Sequence, residues 1–72
     1  MTQELGVIFS KEINDLAALF YESQGRKYDN SIDFRRSQHP EEQGCWNKAI
    51  IAFAFINDDD SLLKHQVGGN KL

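Results

Sequence analysis

From Ile13 onward the apolar residues of this chain fall at three- and four-residue intervals: Ile13, Leu16, Ala17 and Phe20, with Leu19 and Tyr21 flanking the stripe. That is the period of an amphipathic helix. Ser10 is placed to cap its start, and Gly25, just past Gln24, offers the left-handed residue on which helices commonly end. The spacing therefore predicts a helix over residues 10–24. Upstream, residues 1–9 read either as an extended N-terminal arm or as a frayed turn starting at Thr2. Gly6 and the β-branched Val7 and Ile8 weaken a helix there, while Val7, Ile8 and Phe9 together are too apolar to be left in water.

Residues 25–38, GRKYDNSIDFRRSQ, lose the helical period and are rich in turn formers. Tyr28, Ile32 and Phe34 are the apolar anchors able to pin this segment, and an ordered loop of such length is often functional. The period resumes at His39-Pro40-Glu41-Glu42. Proline is tolerated at a first helical position, glutamates suit the positive end of the helix dipole, and Glu42 is spaced to close a capping box on the His39 backbone. The second helix ends at Asn57 and the aspartates that follow it. A third, short helix capped by Asp60 is expected over Ser61–Val67, stopped by Gly68-Gly69, with 68–72 as a tail. The chain is thus expected to be all-α: a two-helix antiparallel hairpin with a long ordered loop plus a short C-terminal helix, one domain spanning 1–72.

The second helix is unusual in being apolar nearly all round. In CWNKAIIAFAFIN, Trp46, Ala49, Ile50 and Phe53 define one face, and Cys45, Ile51, Ala52 and Phe55 a second. A surface helix needs an apolar stripe only about 100° wide. Two and a half helices are a thin coat for the rest, and each large side chain left in water forgoes about 1.5–3 kcal/mol. Trp46, Ile50, Ile51, Phe53 and Phe55 are therefore the candidate interface residues of a homo-oligomer, dimer or higher, or of a complex with a protein partner.

Composition narrows the chemistry. A 72-residue chain has room for one core and is marginally stable by itself. Cys45 is its only cysteine, which excludes an internal disulfide and suits a reducing, cytoplasmic setting. One Cys with the two separated histidines His39 and His65 cannot supply a zinc set. The opening residues do not read as a signal peptide, and the longest apolar run, Ala49 to Ile56, is too short to span a bilayer. Asp58-Asp59-Asp60 lack the spacing and closing Glu of a calcium loop, and no nucleophile motif is present, so neither a cofactor nor an enzyme is expected. The net charge of −3 disfavours nucleic acid, and a linker of roughly 14 residues is too long for a helix-turn-helix.

The charges are nevertheless uneven. Arg26, Lys27, Arg35, Arg36 and His39 gather ahead of the second helix, whose N-terminus favours anions, and arginine offers bidentate bonds to phosphate or carboxylate. These five are the candidate partner or anion site; pairing with Glu22, Asp29, Asp33, Glu41 and Glu42 is the plainer alternative. The arrangement LAALFYESQGRKYD…DFRRSQHPEEQGCWNKAIIAFAFI resembles a pattern of small phage- and prophage-encoded helical proteins of unassigned function. Phe20, Tyr21, Glu22, Gly25, Phe34, His39, Pro40, Glu42, Trp46, Asn47 and Ala49 carry the likeness, over about residues 16–56. The resemblance brings no catalytic residues. It implies a setting in which small proteins act as stoichiometric inhibitors of host enzymes or defence complexes, anti-CRISPR proteins among them. The expectation is a non-enzymatic interaction protein; the alternative is an oligomeric binder of small anions or nucleotides.

Overall fold

The computed structural model describes residues 7–68. Two long helices, α1 (Val7–Ser23) and α2 (Pro40–Asn57), are followed by a short 3₁₀ helix, η1 (Asp60–His65). The described residues contain no strand, so the chain is all-α. No helix among them is long and apolar enough to cross a membrane.

α1 begins earlier than its sequence suggests. Ser10 is not its cap but lies inside the first turns, because the helix already runs through Val7, Ile8 and Phe9. A tertiary contact supplies the reason. The Phe9 ring meets Phe53 edge-on at 5.6 Å, and the contact outweighs the weak local propensity. The alternatives for residues 1–6, and the tail over 69–72, lie outside the described residues. At the other end Gly25 takes φ +84° and its N–H bonds to the Glu22 carbonyl at 3.0 Å, so the helix stops where a residue without a Cβ permits the turn.

α2 begins at Pro40, as its sequence demands, but the expected capping box does not form. His39 precedes the helix in extended backbone and its N–H goes to Ser37 Oγ at 3.1 Å. Glu42 instead accepts from the Ser37 hydroxyl and from Tyr21 OH, tying loop and α1 to the start of α2. The far end closes as a Schellman turn. Asp58 is left-handed (φ 51°), Asp59 N–H reaches the Ala54 carbonyl at 2.9 Å, and Asp58 N–H reaches Phe55 at 3.2 Å. That turn presents Asp59, not Asp60, as the cap of η1, its carboxylate accepting from Ser61 N–H. The third element is accordingly 3₁₀ rather than α, and it ends at His65.

α2 is the centre of the molecule, with α1 and η1 both packed on it. Ile13, Ala17 and Ala18 of α1 meet Cys45, Trp46, Ala49 and Ile50 of α2, and Phe34 seals the core from the loop. Tyr21 packs edge-on against Phe34 at 5.4 Å, and Tyr28 stacks on it at 5.7 Å. Two asparagines fasten the non-helical segments. Asn14 accepts from Phe34 N–H at 2.9 Å and donates to the Ile32 carbonyl at 3.2 Å. Asn47, buried in α2, accepts from Val67 N–H at 2.7 Å and donates to the Val67 carbonyl at 2.8 Å. A side-chain amide offers one donor end and one acceptor end, so each substitutes for a missing backbone partner. Trp46 adds a bond from Nε1 to the His65 carbonyl at 2.9 Å.

Candidate functional site

The five basic-loop residues do not form a single cluster. Arg26 lies over the Tyr21 ring, 5.8 Å from its centroid, and 3.9 Å from Glu41. Lys27 and His39 are exposed. Arg35 and Arg36, by contrast, share a groove of about 430 Å³ with Lys11, Asn14, Tyr28 and Asp33, with Ile32 and Trp46 contributing apolar wall. Asp33 partly offsets this charge: it stands 3.8 Å from Arg36 Nε and accepts from Arg35 N–H. Lys11 is paired with Asp15 at 3.1 Å. The Arg35 guanidinium has no hydrogen bond or ion pair among the described residues, which leaves its donors to water or a ligand.

Lys11 and Asn14 were not among the candidates from sequence. Their signal was the polar series Ser10, Lys11 and Asn14, which borders the Ile13–Ala17 stripe at helical spacing and lines this groove. The loop wall is shaped by an Asp29-Asn30-Ser31 turn. Ser31 donates both its hydroxyl (2.6 Å) and its N–H (3.0 Å) to Asp29 Oδ1, and those two bonds, the hydroxyl first, hold the carboxyl below its ordinary pKa. Asp59 is lowered by the same pair of bonds from Ser61.

Cys45 is sealed in the core, where it packs against the helix interface, and burial raises its thiol pKa. Among the described residues no group of three or more His, Cys, Asp or Glu side chains is arranged to hold a metal.

The apolar candidates on α2 divide into two sets. Trp46 (1% exposed) and Ile50 (0%) are enclosed by their own subunit and have no surface left for association. Phe53 is half-buried beneath Phe9. Ile51 is exposed, Phe55 is 86% exposed, and Ile56, absent from the candidate set, is 72% exposed. At 100° per residue Ile51, Phe55, Ala52 and Ile56 occupy one arc of about 140° on the C-terminal half of α2. Further toward the N-terminus the same side carries Cys45, which is buried, and the exposed Lys48 and Glu41.

No protein-family model, curated protein or solved structure matches the chain.

Proposed function

We propose that this protein is a small non-enzymatic interaction protein that assembles through α2 and binds a macromolecular partner, occluding a functional surface of it. Its biological counterpart is the phage-type stoichiometric inhibitor of a host enzyme or defence complex, anti-CRISPR proteins included, acting in the cytoplasm. The observation that carries the reading is the uncovered arc of Ile51, Phe55 and Ile56. Contiguous exposed apolar residues rimmed by charge mark association surfaces more often than accidents of folding.

The finer architecture belongs to this proposal: α1 and α2 form an antiparallel hairpin. Phe9 at the start of α1 touches Phe53 near the end of α2, and Tyr21 near the end of α1 bonds Glu42 at the start of α2. That arrangement leaves Arg26, Lys27, Arg35 and Arg36 away from the uncovered end of α2, free to steer an acidic partner by charge. Affinity capture from host lysate tests the reading. The wild-type chain should retain one stoichiometric protein that a variant with Arg26, Lys27, Arg35 and Arg36 changed to Glu does not; equal recovery with both chains would sink it.

The groove favours a second reading, a small-anion or nucleotide binder, because it brings Arg35 and Arg36 beside Lys11 and Tyr28. A thermal-shift screen separates the two. A ligand at 100 times its dissociation constant adds about 2.7 kcal/mol, and the shift should vanish in Arg35→Ala. No shift with any nucleotide or inorganic phosphate removes this reading.

A further inference from the structure

We infer that the groove between α1 and the loop is where the macromolecular partner docks, and that the partner presents an acidic peptide segment to it. The inference rests on the reading of this chain as a partner-binding protein, and it names the surface and its occupant. The groove is a positive spot on a negative molecule. Its lining carries Lys11, Arg35 and Arg36 against one carboxylate, Asp33, in a chain of formal net charge −3. An acidic segment is therefore disfavoured by the chain as a whole and attracted here, which fixes where it docks as well as how fast it arrives. A nucleic acid, charged along its whole length, would run off so short a groove onto a chain whose balance is acidic.

Hydrogen-bonding capacity points the same way. Among the described residues the Arg35 guanidinium has neither a hydrogen bond nor an ion pair. Tyr28 OH accepts from Asn14 Nδ2 at 3.4 Å, and its own proton has no acceptor among the described residues. Arg36 is held by Asp33 at 3.8 Å, too long for a hydrogen bond. Donors thus exceed acceptors, and a carboxylate, which takes two parallel bonds from a guanidinium, supplies what is missing. Exposure decides between a chain segment and a small free anion. A small-ligand site encloses about 70–90% of its ligand, whereas the side chains of Lys11 and Arg36 are 79% and 87% exposed. Walls this open suit a ligand that is itself anchored on both sides of the contact, as a peptide segment is. Half-buried Ile32 gives it an apolar seat beside the charges.

Selection of a random peptide library on the immobilised protein tests this. Enriched peptides should be rich in Asp and Glu, and their affinity, read by fluorescence anisotropy, should fall with added salt. Arg35→Ala should weaken binding about tenfold, the effect of losing an interface arginine. Asp33→Asn should tighten it about two- to fivefold, the scale of one exposed charge interaction. That variant removes the competing carboxylate and keeps an oxygen for the Arg35 N–H. Lys64→Ala, which removes an exposed charge outside the groove, should leave the affinity nearly unchanged. Enriched peptides without acidic residues, acidic peptides indifferent to Arg35→Ala and Asp33→Asn, or no enrichment overturn the inference. Displacement of the peptide by micromolar inorganic phosphate, or tighter binding of oligouridylate than of any peptide, does so too. The partner reading falls separately, if capture from lysate is equal for the wild-type and charge-reversed chains.

Discussion

Asn47 sits on a largely apolar helix, yet it is 4% exposed and makes two bonds, to the N–H and the carbonyl of Val67. Removing it strands both backbone groups against a helix that cannot replace them, and a buried unpaired group costs about 1–3 kcal/mol. Asn47→Ala should therefore lower stability by about 2 kcal/mol in chemical denaturation, a loss in the range typical of one broken buried network. Asn57→Ala, which removes an exposed bond to the carbonyl one turn back, should change little. The sequence shows an asparagine in both places and cannot distinguish them, because what separates them is a strand of backbone twenty residues away. Asn14 escaped notice for the same reason.

The two Asp–Ser turns have a pH signature at this scale. Asp29 and Asp59 have folded pKa values below 3.8, so the unfolded chain takes up protons first as pH falls. Their contribution is complete above 3.8 and is lost as pH descends through the lower folded values. A Ser31→Ala, Ser61→Ala double variant should melt below wild type at neutral pH, and the gap should close as pH falls below 3.8. A gap that is constant with pH would show that the hydroxyls act through something other than these carboxylates.

Among elements, helix boundaries written in local chemistry were legible and those set by distant contacts were not. Gly25 stops α1 and Pro40 starts α2 through constraints on their own backbone. The start of α1 depends on Phe9 finding Phe53, which no local rule contains. Three consecutive aspartates follow α2, and only the left-handed turn at Asp58 decides that Asp59 becomes the cap. That turn also carries a testable strain. A non-glycine residue in the left-handed region costs about 1 kcal/mol or more, and a carboxylate beside the negative end of a helix is unfavourable by about 0.3–1 kcal/mol. Asp58→Gly should raise the melting temperature, with a gain of about 1 kcal/mol. A loss would mean that the aspartate makes a contact worth more than the strain it carries.

For the whole molecule, the apolar pattern of α2 told that several faces needed cover, and the structure shows which ones the chain covers by itself. Trp46 and Ile50 are enclosed by α1, the loop and the segment through His65. Period separates these two from Ile51 and Phe55 as two faces of α2 but could not say which face the rest of the chain covers, because both look equally apolar. α1, Phe34 and η1 pack on the face of Trp46 and Ile50, and the face of Ile51 and Phe55 is left exposed. A domain of this size has little stability to spare, and Phe55 with Ile56 would each gain about 1.5–3 kcal/mol from full burial. Phe55→Glu should leave monomer stability within about 0.5 kcal/mol of wild type, as at any exposed site, while disrupting association.

Dilution of isotopically labelled protein followed by two-dimensional NMR addresses the central claim most directly. Signals of Lys48, Ile51, Ala52, Phe55 and Ile56 should move together between millimolar and micromolar concentration, with the resonances of Trp46 and Ile50 nearly still. A spectrum that does not change with concentration, or changes centred elsewhere on the molecule, contradicts assembly through the C-terminal half of α2.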